Sequence, residues 1–137
     1  MTKVFDTNLV AVNEITKAFV PILRKRGQDQ IKKILNMSSI LGSIGQMEDA
    51  DGWGFGLAYC VSKASVNMLT KMTANKLSKE NFVVFASHPG WVQTSMGGEN
   101  APVTTEESIR GQLANLDKFG NEENGGFYDF EGKALPW

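Results

Sequence analysis

The stretch that decides the fold is Phe82-Val83-Val84-Phe85-Ala86-Ser87-His88-Pro89-Gly90. Its first six residues are mostly apolar and include two β-branched valines, a pattern typical of a parallel strand covered on both faces. Pro89 and Gly90 then end the run, because proline cannot donate a ladder hydrogen bond and the pair favours a turn. We therefore predict a central buried strand over residues 82–87.

The region before this strand contains a helix and a second strand. Apolar side chains recur at helical spacing over residues 7–26, with one stripe of Leu9, Val12, Thr16, Phe19, Val20 and Leu23 and another of Ala11, Ile15, Ala18 and Ile22. Two stripes indicate burial on two sides. Pro21 should bend or shorten this helix, and Gly27 should stop it. The short apolar run over residues 31–37 predicts a strand that leads into Ser38-Ser39.

A second long helix is predicted over residues 57–77. Its first face is formed by Ala58, Val61, Ala64, Ser65, Met68, Leu69 and Met72, and Cys60, Val66 and Thr73 broaden the buried surface. A third helix should start after Thr104 or Thr105, because threonine followed by acids resembles a helix N-terminus. Residues 127–130 predict a last short strand.

Strands that alternate with long helices imply βαβ units and hence a parallel sheet with right-handed crossovers. The length of 137 residues suits a single domain over residues 1–137. Ligands bind outside the carboxyl ends of the strands in such sheets. Ser38-Ser39 and Pro89-Gly90 both lie at those ends, so we expect a ligand site there.

The overall composition excludes several classes of function. A net charge of −1 gives no long-range attraction for nucleic acid or an anionic membrane. A single cysteine, Cys60, and a single histidine, His88, leave no credible metal site. There is no apolar run long enough to span a bilayer and no signal-peptide core at the start, so we expect a cytoplasmic protein without a membrane partner.

Tyr59 and Lys63 are the residues that indicate chemistry. They lie four positions apart on the predicted helix and so project from the same side. A phenol is a poor acid or base at neutral pH, but a nearby ammonium stabilises its phenolate and lets it exchange a proton with a carbonyl or alcohol oxygen. Ser39 could orient the same oxygen. For this pair alone, a solvated lysine beside a half-buried tyrosine remains the alternative.

The motifs around this pair resemble one known family. They are Asn36-Met37-Ser38-Ser39, Tyr59-Cys60-Val61-Ser62-Lys63-Ala64-Ser65 and His88-Pro89-Gly90-Trp91-Val92-Gln93-Thr94. In this order they resemble the short-chain dehydrogenase/reductases. The closing stretches, Gly126-Phe127-Tyr128-Asp129-Phe130-Glu131-Gly132 and Leu135-Pro136-Trp137, are similar to the subgroup with the C-factor-type proteins and the sniffer-type carbonyl reductases.

The resemblance implies an NAD- or NADP-dependent oxidoreductase of carbonyls or alcohols, with a Rossmann-like doubly wound sheet. It implies that Tyr59 is the acid/base, that Lys63 supports the phenolate and binds the nicotinamide ribose, and that Ser39 positions the substrate oxygen. Asn8 matches an asparagine that holds a proton-relay water, although it can also be a plain polar residue at a helix start. The residues that match the segment packed against the nicotinamide are Pro89, Gly90, Val92 and Thr94. A simple turn is the alternative for Pro89-Gly90.

Two departures from the family pattern affect the prediction. A glycine-rich insert over residues 42–56 lengthens the distance from Ser39 to Tyr59, and its Met47, Trp53 and Phe55 could line a pocket for an apolar substrate. The family's N-terminal half, with its glycine-rich pyrophosphate turn, has no counterpart, so the expected sheet is partial and this chain alone should have little activity. The strand over residues 31–37 would then expose an apolar edge.

Three further expectations follow. The family's equivalents of helices 7–26 and 57–77 pair in a dimer interface, which predicts a homodimer or homotetramer. A non-enzymatic remnant of a reductase, acting as an interaction or regulatory domain, is the alternative function. A serine hydrolase that uses His88 is disfavoured, because no Gly-x-Ser-x-Gly motif occurs. The identity of the substrate and the choice between NAD and NADP stay open.

Overall fold

The computed structural model describes residues 1–48 and 56–137, which form an α/β fold with a three-stranded parallel sheet. The elements, in chain order, are α1 (Thr2–Phe5), a π-helical turn (Asp6–Val10), α2 (Ala11–Arg24), β1 (Lys32–Met37), α3 (Leu57–Leu77), β2 (Phe82–His88), α4 (Thr105–Lys118) and β3 (Phe127–Asp129). This order confirms the predicted alternation of helices and strands.

The strand order in the sheet is β1-β2-β3, and both pairings are parallel. β2 is therefore central, and Phe82, Val83, Val84, Phe85 and Ala86 are each at most 1% exposed, as the sequence predicted. The register pairs Lys32 with Phe82 and Met37 with Ser87. The carboxyl ends of β1 and β2 consequently lie side by side.

Two apolar clusters cover the two faces of β2. On one face, Phe82 and Val84 pack with Val20 of α2 and with Ala74 and Leu77 of α3. On the other face, Val83 and Phe85 pack with Phe119, just after α4, and with Leu35, Leu116 and Tyr128. Since alternate residues of a strand point to opposite faces, a continuous apolar run is what this two-sided burial requires.

The first helical region is longer at its start than predicted, because helical structure begins at Thr2 rather than at residue 7. Pro21 does not end α2, which continues to Arg24. One missing backbone hydrogen bond is outweighed here by the packing of Val20 and Leu23 against the core. Within residues 1–48 and 56–137, only one face of α2 is covered, since Ile15, Phe19 and Ile22 are more than half exposed.

The buried surface predicted for α3 is confirmed at Cys60 and Val66, but much of the first predicted face is exposed in this chain. Val61 is 42% exposed, and Met68 and Met72 are each 62% exposed. The face that contacts the sheet instead consists of Cys60, Ser62, Val66, Asn67, Thr70, Ala74 and Leu77. Its polar members are hydrogen-bonded, for example Thr70 Oγ1 to Asn36 Nδ2 at 2.9 Å, so their burial carries no unsatisfied group. Hydrophobicity alone therefore identified only part of the side that meets the sheet, because that side also includes Ser62, Asn67 and Thr70.

α4 begins after the first of the two threonines predicted for its start, with Thr104 as its N-cap. The Thr104 hydroxyl accepts the Glu107 N–H at 3.1 Å, and the Glu107 carboxylate accepts the Thr104 N–H at 2.9 Å. This reciprocal pair satisfies two backbone donors at the helix start. None of the helices in residues 1–48 and 56–137 has both the length and the apolar character needed to cross a membrane.

The outer edge of β1 pairs with no strand in the described part of the chain. A groove of about 490 Å³ lies there, between residues 33–37 of the strand and the side chains of Val12, Ile15, Phe19 and Leu23 on α2. We refer to it as the edge groove. This agrees with the partial sheet expected from the sequence.

Candidate active site

The turn after β1 carries Ser39 and lies against α3. Ser39 caps a 3₁₀ turn (Ile40–Gly42), and its Oγ accepts the Leu41 N–H at 3.2 Å. Ser38 donates its hydroxyl to the Asn67 amide oxygen, and the Asn67 amide nitrogen donates to the Gly42 carbonyl at 3.2 Å. Ser39 is thus held in place by backbone and buried polar contacts.

Tyr59 and Lys63 lie on the same side of α3, as their spacing predicted. The Lys63 Nζ is 5.7 Å from the centroid of the Tyr59 ring and donates a hydrogen bond to the Met37 carbonyl at 2.9 Å. Burial lowers the pKa of Lys63 from its ordinary value of 10.5. The ammonium is therefore placed between the phenol ring and the end of β1.

A cavity of about 560 Å³ opens at the carboxyl ends of β1 and β2. Six of the residues singled out from the sequence line it, namely Ser39, Tyr59, Pro89, Gly90, Val92 and Thr94. We call it the strand-end cavity. It lies where a parallel sheet is expected to bind its ligand.

The strand-end cavity also has lining residues that sequence reasoning missed. They include Leu41, Trp91, Met96, Thr105, Ser108, Ile109 and Gln112. The last four lie at positions i, i+3, i+4 and i+7 of α4, which is the spacing of one helix face. This helical spacing is visible in the sequence, but it does not identify the face of α4 that lines the cavity.

Asn8 and Lys63 line the edge groove rather than the strand-end cavity. Asn8 donates from Nδ2 to the Ser62 Oγ at 3.0 Å, and Ser62 donates in turn to the Tyr59 carbonyl at 2.7 Å. Asn8 is the central residue of the π-helical turn (Asp6–Val10), which the sequence did not predict. Such turns interrupt the regular hydrogen-bond ladder and occur frequently at functional sites.

The segment from Pro89 to Thr94 has a fixed shape and contains backbone donors without a partner. Gly90 has a φ of +86°, and a Cβ atom there would lie 2.9 Å from the Phe130 ring. Ser108 donates its hydroxyl to the Pro89 carbonyl at 2.6 Å, and the Thr94 hydroxyl accepts the Gly97 N–H at 3.1 Å. Within the described residues, the N–H groups of Gly90, Trp91 and Val92 have no acceptor. All three residues line the strand-end cavity.

His88 is bonded to the backbone and not to the serine. Its Nδ1 accepts the Ile40 N–H at 3.1 Å, whereas the Ser39 Oγ accepts from Leu41. Burial lowers the pKa of His88, and the Asp129 carboxylate opposes this effect. In the described part of the chain Ser39 has no imidazole partner, so the geometry does not support a serine hydrolase.

Of the three insert residues proposed to line a pocket, only Met47 belongs to the described residues. It is 44% exposed and does not line the strand-end cavity. Trp53 and Phe55 lie outside the described residues.

The chain is similar to known dehydrogenases and reductases. A family profile described as short chain dehydrogenase matches residues 1–104. The C-signal of Myxococcus xanthus is 35% identical over the whole chain. Two solved structures superpose with a TM-score of 0.88: the carbonyl reductase Sniffer of D. melanogaster at 35% identity, over 97% of this chain, and an NADPH-bound carbonyl reductase from chicken fatty liver at 36% identity, over all of it.

These relatives differ in how much of their length is matched. The chain spans 78% of the C-signal, but only 55% of Sniffer and 57% of the chicken reductase. An uncharacterized oxidoreductase of Schizosaccharomyces pombe, 31% identical, is likewise matched over 56% of its length. The chain therefore spans little more than half the length of most of these relatives.

Proposed function

Because the chain belongs to the short chain dehydrogenase family, we propose that it serves hydride transfer between a nicotinamide cofactor and a small carbonyl or alcohol. The observation that carries this proposal is the placement of Tyr59 and Ser39 on one cavity, with the Lys63 ammonium 5.7 Å from the Tyr59 ring. A proton donor, a hydrogen-bonding hydroxyl and a cation are the groups that carbonyl reduction needs.

Each of these side chains has a proposed role in the proton chemistry. NADH or NADPH, when bound, supplies the hydride. Tyr59 donates its phenolic proton to the substrate oxygen during reduction, and accepts it back during oxidation. Ser39 donates its hydroxyl hydrogen to the same oxygen, since its Oγ already accepts from Leu41 and its own hydrogen is available. Lys63 stabilises the Tyr59 phenolate as it forms.

The edge groove supports a route for the proton beyond Tyr59. Lys63 and Asn8 both line this groove, so a water between them would connect the ammonium to the π-helical turn. Lys63 would pass a proton to the phenolate and regain it from that water. We assign this positioning role to Asn8, which is also tied to the Tyr59 carbonyl through Ser62.

The residues proposed to hold the nicotinamide end of the cofactor are Tyr59, Lys63, Pro89, Gly90, Val92 and Thr94. The Val92 N–H suits a carboxamide oxygen, and the lack of a Cβ at Gly90 lets its backbone lie against Phe130. The chicken reductase is described with NADPH bound. We propose NAD or NADP for this chain, without a preference between them.

Turnover by these 137 residues alone should be low, since they match little more than half of the solved reductases. The test therefore measures binding first. Titration with NADH and NADPH, followed by protein fluorescence, should show saturable binding of at least one. A chain that binds neither and turns over nothing would be explained better by the alternative function, a non-enzymatic interaction or regulatory domain.

A matched pair of variants tests the role of Tyr59. Tyr59→Phe keeps the aromatic ring but removes the proton donor, so at saturating nucleotide it should lower the single-turnover rate of carbonyl reduction by at least about 100-fold. Tyr128→Phe changes the chain's second tyrosine, which packs against Phe85 and Phe119, and should leave that rate nearly unchanged. Equal rates for wild type and Tyr59→Phe would exclude Tyr59 as the acid.

A further inference from the structure

The two residues that flank Ser39 each donate a backbone hydrogen bond to β2. The Ser38 N–H donates to the Ser87 carbonyl at 2.8 Å, and the Ile40 N–H donates to the His88 Nδ1 at 3.1 Å. The first bond continues the backbone ladder between β1 and β2, but the second uses a side chain. Since β1 ends at Met37, the imidazole takes the place of a backbone acceptor beyond the end of the ladder.

The bond from Ile40 determines the protonation state of the imidazole. A neutral histidine has one nitrogen that accepts and one that donates. Because Nδ1 accepts an amide hydrogen, the proton of the neutral ring must be on Nε2. Protonation would convert Nδ1 into a donor that faces another donor, and the bond to Ile40 would be lost.

We propose that His88 is a positioning residue for Ser39, whose neutral imidazole holds the turn that presents the serine hydroxyl to the substrate oxygen. This inference rests on the proposed function for the role of Ser39, but not for the hydrogen bond itself. It predicts that the Ser39 turn changes when His88 is protonated.

The neutral form of His88 is favoured by burial and opposed by one charged neighbour. On β3, Asp129 pairs with His88 in the register, and its carboxylate favours the imidazolium. On α3, Tyr59 lines the same cavity and Lys63 reaches the end of β1. The α4 residues that line the cavity are all uncharged: Thr105, Ser108, Ile109 and Gln112. Burial is the larger influence and disfavours the charge.

Nuclear magnetic resonance of the ¹⁵N-labelled chain tests the bond directly. In the wild type, the ¹⁵N shift of the His88 ring should show an unprotonated Nδ1 at neutral pH. The backbone amides of Ile40 and Leu41 should titrate with the same apparent pKa as the ring. A ring protonated on Nδ1, or an Ile40 amide that does not follow the ring, would overturn the proposal.

Two variants separate positioning from a merely structural contact. In His88→Asn, the amide oxygen can replace Nδ1 as acceptor and does not titrate, so the Ile40 and Leu41 amides should stay in their wild-type positions and lose their pH dependence. In His88→Ala, those amides should shift at every pH. An Asn variant that behaves like the Ala variant would count against a specific acceptor role.

The binding of acetophenone in the presence of NADP⁺ tests whether His88 affects how Ser39 meets the substrate oxygen. If only the neutral form of His88 presents Ser39 correctly, the apparent affinity of the wild type should fall about tenfold at one pH unit below the ring's pKa. His88→Asn should show no such fall, whereas an equal fall in both proteins would overturn the proposal. Failure of acetophenone to bind the wild type at any pH would count against the proposed function, and the ring and amide titrations would still decide the role of His88.

Discussion

Gly42 marks the closest approach between the Ser39 turn and α3. A Cβ atom at this position would lie 2.7 Å from the Lys63 carbonyl carbon and 2.9 Å from the Ala64 nitrogen, which are backbone atoms of a packed helix. These atoms cannot rotate aside as a side chain could. The glycine is therefore needed for the packing of the Ser39 turn against α3.

Gly42→Ala should lower the free energy of unfolding by about 1–3 kcal/mol, because the added methyl group forces the turn away from α3. Urea denaturation followed by circular dichroism measures this. The matched control is Gly120→Ala, at a position with open space around it and a negative φ, which should change stability little. Equal losses in the two variants would show that the close contact is not the cause.

The lowered pKa of His88 predicts a pH dependence of stability. Burial places the folded value below the ordinary 6.5, so in the window between the two values the unfolded chain binds more protons. The free energy of unfolding should then fall as pH drops from about 6.5 towards the folded pKa. Above pH 6.5, His88 should have no effect on stability. The effect is isolated by measuring the urea midpoints of the wild type and of His88→Asn from neutral pH downwards, since the two proteins share all other titratable groups. If the two plots of midpoint against pH run parallel, the prediction is wrong.

At the scale of elements, the contact between β1 and α3 is polar where an apolar one was expected. The Asn36 Nδ2 donates to Thr70 Oγ1 at 2.9 Å, and Thr70 donates to the Val66 carbonyl at 2.8 Å. Asn36 is 6% exposed and Thr70 is fully buried. The strand and the helix are thus joined by a buried side-chain hydrogen bond.

Thr70→Val keeps the shape of the side chain but leaves the Asn36 amide without its partner. We expect a loss of about 1–3 kcal/mol in unfolding free energy, the cost of an unsatisfied buried donor. Thr16→Val serves as the control, since the Thr16 hydroxyl also bonds a carbonyl four residues back but forms no bond to another element. A loss no larger in Thr70→Val than in the control would exclude the contact to Asn36 as the source.

At the scale of the whole molecule, much of the apolar surface of α2 and α3 is left uncovered. Ile22 on α2 and Met68 and Met72 on α3 are each more than half exposed. We predict that this surface joins copies of the chain into a homodimer or homotetramer. The edge groove is a separate exposed apolar surface, next to Ile15 and Phe19.

Charge placed on the outer face of α3 tests this assembly. The wild type should sediment as an oligomer at micromolar concentration, and the double variant Met68→Lys/Met72→Lys should shift towards the monomer, because lysines desolvated in an interface are costly. Leu113→Lys on α4, at a position that is 59% exposed, is the control and should leave the oligomer intact. A monomeric wild type would contradict the prediction.

The amino-acid pattern was enough to predict the α/β class, the central strand β2, the start of α4 after Thr104 or Thr105 and the shared side of Tyr59 and Lys63. All of these depend on local periodicity or on spacing within one element, where neighbours along the chain are also neighbours in space. The buried face of α3, the π-helical turn around Asn8, the cavity face of α4 and the bond from Ile40 to His88 were decided by tertiary packing. They depend on contacts between polar groups of elements that are far apart in the chain. The types of the side chains alone do not determine which of these groups come into contact.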